Sequence, residues 1–161
     1  MMLRKRAWDI MRDEFPSVQE DASMAECVRV LRDAIRENPD NFVVVVKTKG
    51  GKLAGAVSIW KALRALKESV LRDENIRNVD NIDWDQAVRH ACLTCTQMRI
   101  EEFIEPDVPT VKPNDAALVL HDVMARARKS WCIVTEGGKV MGVVFLSDLY
   151  REMTRDMLRV C

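Results

Sequence analysis

The 161-residue chain lacks a net charge, since its 25 Lys and Arg are balanced by 25 Asp and Glu. Without a basic excess there is no concentrated Lys/Arg surface to release counterions, which excludes a dedicated nucleic-acid binder. Long apolar runs are missing too: the purest is Val43-Val44-Val45-Val46, far short of the roughly 20 residues needed to cross a bilayer. Glycine and proline are scarce, at 6 and 5 residues. Hydrophobic residues nevertheless make up 48% of the chain, enough burial to oppose chain entropy and exclude disorder. Arg4, Lys5 and Arg6 are followed by Asp9, Arg12, Asp13 and Glu14, where a signal peptide would carry an apolar core. The expectation is a soluble cytoplasmic protein. Its five cysteines (27, 92, 95, 132 and 161) are odd in number and irregularly spaced, so they outline no disulfide framework.

What is present is a repeat. Phe15-Pro16-Ser17-Val18 reads against Val108-Pro109-Thr110-Val111, an offset of 93 (15 to 108). Gly50-Gly51-Lys52-Leu53-Ala54-Gly55-Ala56-Val57 reads against Gly137-Gly138-Lys139-Val140-Met141-Gly142-Val143-Val144, an offset of 87 (50 to 137). Each copy opens with an extended x-Pro step, because the residue before proline is pushed out of the helical region. In the first copy, Ser23 with Glu26 predicts a capping box. Met24, Cys27, Val28, Leu31 and Ile35 then fall on one helical face. The second copy starts its helix at Asn114 or Asp115, with Ala117, Leu120, Met124 and Ala127 on the matching face. Two β-branched runs flank each diglycine, the pattern of a tight hairpin. Closing helices are expected over Ile59–Leu66 and Leu149–Leu158. The order is strand–helix–strand–strand–helix, twice. The division expected is 1–66, a connector at 67–99, and 100–161. In the connector, Asp83 with Gln86 predicts a helix start, and Trp84, Val88, Ala91, Cys95 and Met98 form its apolar stripe.

The stretches Trp8-Asp9-Ile10-Met11, Ile104-Glu105-Pro106-Asp107, Gly55-Ala56-Val57-Ser58 and Gly142-Val143-Val144-Phe145-Leu146-Ser147-Asp148-Leu149, in fixed order twice, resemble a tandem pair of cystathionine-β-synthase (CBS) domains, a Bateman module. The resemblance implies an α/β fold (α+β type) of two β-α-β-β-α repeats packed sheet to sheet about a pseudo-twofold axis. It implies a non-catalytic regulatory or sensor role: an adenine nucleotide or adenosine derivative sits in an inter-repeat cleft, and its occupancy is relayed to a protein partner. Ligands of the kind expected are AMP, ADP, ATP or S-adenosylmethionine, with no cofactor required. A homodimer formed through repeat helices is also implied, with Met153, Met157 and Leu158 of the final helix as interface elements.

The family's contact motif is Gly-h-h-Thr/Ser-x-x-Asp, in which a hydroxyl and helix N–H groups receive phosphate and a carboxylate accepts from the ribose. Neither copy is complete. The first has Ser58, but Lys61 at the carboxylate position; the second has Asp148, but Phe145 at the hydroxyl position. The resemblance therefore implies Asp148, Ser147, Ser58, Lys61, Thr110 and Ser17 as the nucleotide-binding set. Two plainer roles stand beside it, Asp148 as a first-turn carboxylate on the helix dipole and Ser58 as an N-cap.

Cys92-Leu93-Thr94-Cys95, with His90 nearby, raises a redox or metal sensor as a lesser alternative. His90 and Cys92 lie two steps apart, about 200° around a helix, and three local ligands fall one short of a structural zinc site. The four tryptophans (8, 60, 84 and 131) read as core or interface anchors. His121 reads as a helix-boundary residue. The main alternative function is a stand-alone interaction or scaffold protein with degenerate ligand sites.

Overall fold

The computed structural model describes residues 4–72 and 83–160. The elements are α1 (Ala7–Ile10), β1 (Ser17–Gln19), α2 (Met24–Glu37), β2 (Val43–Lys47), β3 (Leu53–Ser58) and α3 (Ile59–Leu71). There follow α4 (Trp84–Gln97), a 3-10 turn (Ile100–Phe103), β4 (Thr110–Val111), α5 (Ala117–Ala127), β5 (Trp131–Glu136), β6 (Lys139–Phe145) and α6 (Leu146–Val160). The fold is mixed α/β, with two three-stranded sheets ordered β1-β2-β3 and β4-β5-β6. In the second sheet β4 runs parallel to β5, and β5 antiparallel to β6, with an irregularity at Val134/Thr135. The doubled order expected from the repeat is the order observed. Gly51 (φ 80°), Gly137 (φ 58°) and Gly138 (φ 80°) supply the positive φ in the two hairpins.

The chain forms two compact units that cut across the sequence repeats. The first unit comprises residues 1–15, 47–55 and 106–161; the second comprises 16–46 and 56–105. In the first, Ala7 and Ile10 join Val111, Leu120, Met124, Cys132, Val144 and Leu149 in one buried cluster. The Ala7 N–H donates to the Asp115 carbonyl at 2.8 Å, and that of Trp8 to the Pro113 carbonyl at 3.1 Å. In the second, Met24, Cys27, Leu31, Val43–Val46, Ala65, Ile100 and Phe103 are buried. Val43–Val46 is buried on both faces, which is why the run is continuous instead of alternating.

Several local expectations are corrected. The second copy's helix has Ala116 at its N-cap, without a side-chain cap. Asp115 turns back instead to accept the Lys112 N–H at 2.8 Å, and the Lys5 carbonyl accepts the Ala117 N–H at 3.3 Å. Both closing helices are longer than expected: α3 runs on to Leu71, with Ser69 buried, and α6 begins three residues earlier, at Leu146. Ser23 and Asp83 cap α2 and α4 as expected, accepting from the N–H of Glu26 and Gln86. The buried face of α4 is Ala87, Ala91 and Cys95, while Trp84 and Val88 are exposed. Of the tryptophans only Trp131 is buried; Trp8, Trp60 and Trp84 are exposed. Among the described residues, no helix is long and apolar enough to cross a membrane.

Candidate functional site

The six candidate residues divide between the units, with Thr110, Ser147 and Asp148 in the first and Ser17, Ser58 and Lys61 in the second. In the first unit the site is built where the segment after α1 meets β6. Arg12 and Val143 pair through two backbone hydrogen bonds, of 2.9 and 3.0 Å. Glycine at 142 permits this approach: a Cβ there would stand 2.6 Å from the Arg12 carbonyl oxygen and 2.8 Å from the Met11 sulfur.

With its backbone so anchored, Arg12 directs its guanidinium at the first turn of α6. Nε donates to Asp148 Oδ2 at 2.7 Å, and a second guanidinium N–H donates to Oδ1 at 3.1 Å. The side chains of this two-pronged pair are only 22% and 13% exposed. The guanidinium also lies 4.6 Å from the centroid of the buried Phe145 ring, a cation–π arrangement. Arg151 approaches Asp148 from the solvent side at 3.8 Å. Asp148 therefore does more than sit on the helix dipole; it is the acceptor in a cross-element ion pair.

The second unit repeats this plan. Ala56 and Glu105 pair through two backbone hydrogen bonds, of 3.1 and 2.9 Å. Lys61, in the first turn of α3, lies 4.0 Å from Glu105, with side chains 28% and 23% exposed. By the repeat offsets, Glu105 is the counterpart of Arg12 and Lys61 of Asp148. Each position is filled, and the charges are exchanged. Ser58 is buried and its hydroxyl accepts the Lys61 N–H at 3.4 Å, making it the N-cap of α3. Phe145 holds the counterpart position before α6.

Ser147 lies inside the first turn of α6, half-buried, and does not precede the helix. Thr110 is exposed on β4 opposite Ile133, and Ser17 opens β1 half-buried. Neither shares a side-chain hydrogen bond with either ion pair among the described residues. Arg12 and Glu105 were absent from the candidate set. Their signal was available: the offset of 93 that aligns the Pro blocks carries 12 onto 105, as the offset of 87 carries 61 onto 148.

The thiols are mostly withdrawn. Burial pushes Cys27 up to about 11 and Cys132 up to about 12, and it also raises Cys95. Cys92 is exposed while Cys95 is buried, so the C-x-x-C pair faces two environments. No cluster of three metal-ligating side chains occurs among the described residues.

The family profile described as CBS domain matches residues 7–68 and 100–155. This chain belongs to the CBS domain family. Solved CBS structures share its fold. The cytosolic domain of the Mg2+ channel MgtE, in complex with ATP, is 19% identical with a TM-score of 0.66, over 92% of this chain and 48% of that one. This chain thus spans about half of that CBS relative. A protein described as an acetoin utilization protein (AcuB), from Vibrio cholerae, is 16% identical with a TM-score of 0.68, over 98% and 96% of the two chains. The CBS domain pair of protein MJ0100, in complex with 5′-methylthioadenosine and S-adenosyl-L-methionine, is 18% identical with a TM-score of 0.67, over 94% and 98%. Among curated protein sequences, none matches the CBS chain described here.

Proposed function

We propose that this chain is a non-catalytic regulatory module that binds an adenine nucleotide or adenosine derivative at the Arg12–Asp148 site and relays occupancy to a protein partner. Residues 1–66 and 100–161 are its two repeats, and 67–99 is the connector. The observation that carries the reading is the part-buried, two-pronged pair of Arg12 with Asp148. It holds together an anion-binding fork and a carboxylate acceptor, the two groups a nucleotide requires. On binding, ribose hydroxyls donate to Asp148, and the freed guanidinium of Arg12 turns to the ligand's phosphate or carboxylate. Ser147, in the first turn of α6, adds helix N–H and hydroxyl donors at the same end. The fold precedent is supportive, since one neighbour was solved with ATP and another with S-adenosyl-L-methionine and 5′-methylthioadenosine. Occupancy would shift the population between states in which Arg12 is tied to α6 or released from it. The Lys61–Glu105 site, with Ser58 committed to capping and Thr110 and Ser17 apart from either pair, contributes less. A homodimer through α6, using Met153, Met157 and Leu158, completes the assembly.

A second reading, a scaffold without a ligand, is favoured by the same ion pairs taken as permanent: Asp148 and Lys61, at the motif's carboxylate position in each copy, already have an intrachain partner. A thermal-shift series with AMP, ADP, ATP, S-adenosylmethionine and 5′-methylthioadenosine separates the two. The expected result is a saturable rise in Tm, abolished by Asp148→Ala. Arg12→Ala should weaken the response to phosphorylated ligands while sparing the uncharged 5′-methylthioadenosine. No rise with any of the five, together with a stable dimer by sedimentation, overturns the ligand reading in favour of the scaffold.

A further inference from the structure

Within the second unit, α4 packs against both α2 and α3. Each helix turns one stripe toward a common groove of about 610 Å³, a volume in the range of small-molecule sites. Leu31 and Cys95 are buried at its floor, Ile35, Ile59 and Leu66 are half-buried, and Leu63 is exposed at the edge. The groove's charge has one sign. Arg32 and Arg36, one turn apart on α2, both line it, and among the described residues no carboxylate does. Both arginines are exposed, and neither has an ion-pair partner among the described residues. The trough that two helices offer to a third is already taken by the chain's own α4, which argues against a partner helix as occupant. What is left is an apolar slot beside two guanidinium forks, whose planar donors match a carboxylate.

We propose that this groove binds a small anionic amphiphile, an alkyl chain bearing one carboxylate, with the chain between α2, α3 and α4 and the head held by Arg32 and Arg36. The site is separate from the Arg12–Asp148 pair and independent of the nucleotide reading. It is tested by calorimetric titration of the full chain with octanoate, decanoate and dodecanoate below their micelle concentrations, using dodecyltrimethylammonium as the cationic control. The expected result is a single saturable site that tightens about 3–4-fold for each added CH2, with no binding of the cation. Arg32→Gln combined with Arg36→Gln should weaken dodecanoate at least about tenfold with only a small fall in Tm, because both side chains are exposed and only the cation in the last turn of α2 is lost to the helix dipole. Ala62→Trp, which fills the slot, should abolish binding. Equal binding of the cation, undiminished binding in the double variant, or no binding of dodecanoate overturns the proposal. Loss of a dimer in Ala62→Trp, without dodecanoate binding to the original chain, assigns the groove to a second copy and overturns it as well.

Discussion

The two compact units meet the same problem with opposite charges. Where the first sets Arg12 against Asp148, the second sets Glu105 against Lys61, each pair tying the segment beyond a short opening helix to the first turn of a closing helix. The backbone scaffolding is the same, a two-bonded bridge of Arg12 with Val143 or of Glu105 with Ala56. The execution differs. A guanidinium fork grips its carboxylate at 2.7 and 3.1 Å and rests on Phe145, while an ammonium reaches only 4.0 Å and has a capping serine beside it. A duplicated position can thus keep an electrostatic tie while changing the sign of the group it presents. Only the first unit keeps a carboxylate in the first turn of its closing helix.

The largest effect expected from testing this comparison is on the first pair. Arg12→Ala strands a part-buried carboxylate and should cost about 2–3 kcal/mol in urea denaturation. Arg12→Glu combined with Asp148→Lys, which rebuilds the second unit's arrangement in the first, should recover part of that loss. A double variant no better than the worse single one would break the equivalence of the two sites. Next come the two cores, which the comparison makes alike: Cys27 in one and Cys132 in the other hold their protons above the ordinary 9.0, to about 11 and about 12. The folded state keeps these protons while the unfolded chain releases them, so stability is fully present below pH 9 and falls as pH rises toward the folded values. Each thiol should cost about 1 kcal/mol between pH 8 and 10. Denaturation curves of Cys27→Ala and Cys132→Ala should show that slope reduced by similar amounts, and a slope altered by only one of them separates the cores. The smallest effect belongs to Lys61→Ala, at under about 1 kcal/mol. A loss matching that of Arg12→Ala would remove the contrast.

Much of this was legible in the residues. The Pro blocks and diglycines marked two copies because x-Pro steps and positive-φ turns tolerate few alternatives. Ser23 and Asp83 announced their helices because each hydroxyl or carboxylate had an N–H three residues on to receive. Asp115 misled because its carboxylate has two uses, and the loop closure at Lys112 took it before the helix did. On α4 the expected stripe ran through the large Trp84 and Val88, whereas close packing against α2 and α3 buries the small Ala87 instead. The candidate site was half legible. Asp148 stood out as the carboxylate the motif keeps and Lys61 as a departure from it, but their partners sit 136 residues (12 to 148) and 44 residues (61 to 105) away. They emerge only when both repeat offsets are applied together.

The bridge between Arg12 and Val143 also bears on the order in which the chain assembles. The first unit joins residues near position 10 to residues near 145, so its cluster around Ala7, Ile10 and Leu149 closes only after most of the chain has been synthesised. The second unit draws on residues 16–105 alone. Contacts of such large sequence separation are slow to form. Synthesis from the first residue onward therefore completes the second unit while α1 still waits for its partners, leaving Ala7 and Ile10 uncovered on the nascent chain until α6 arrives.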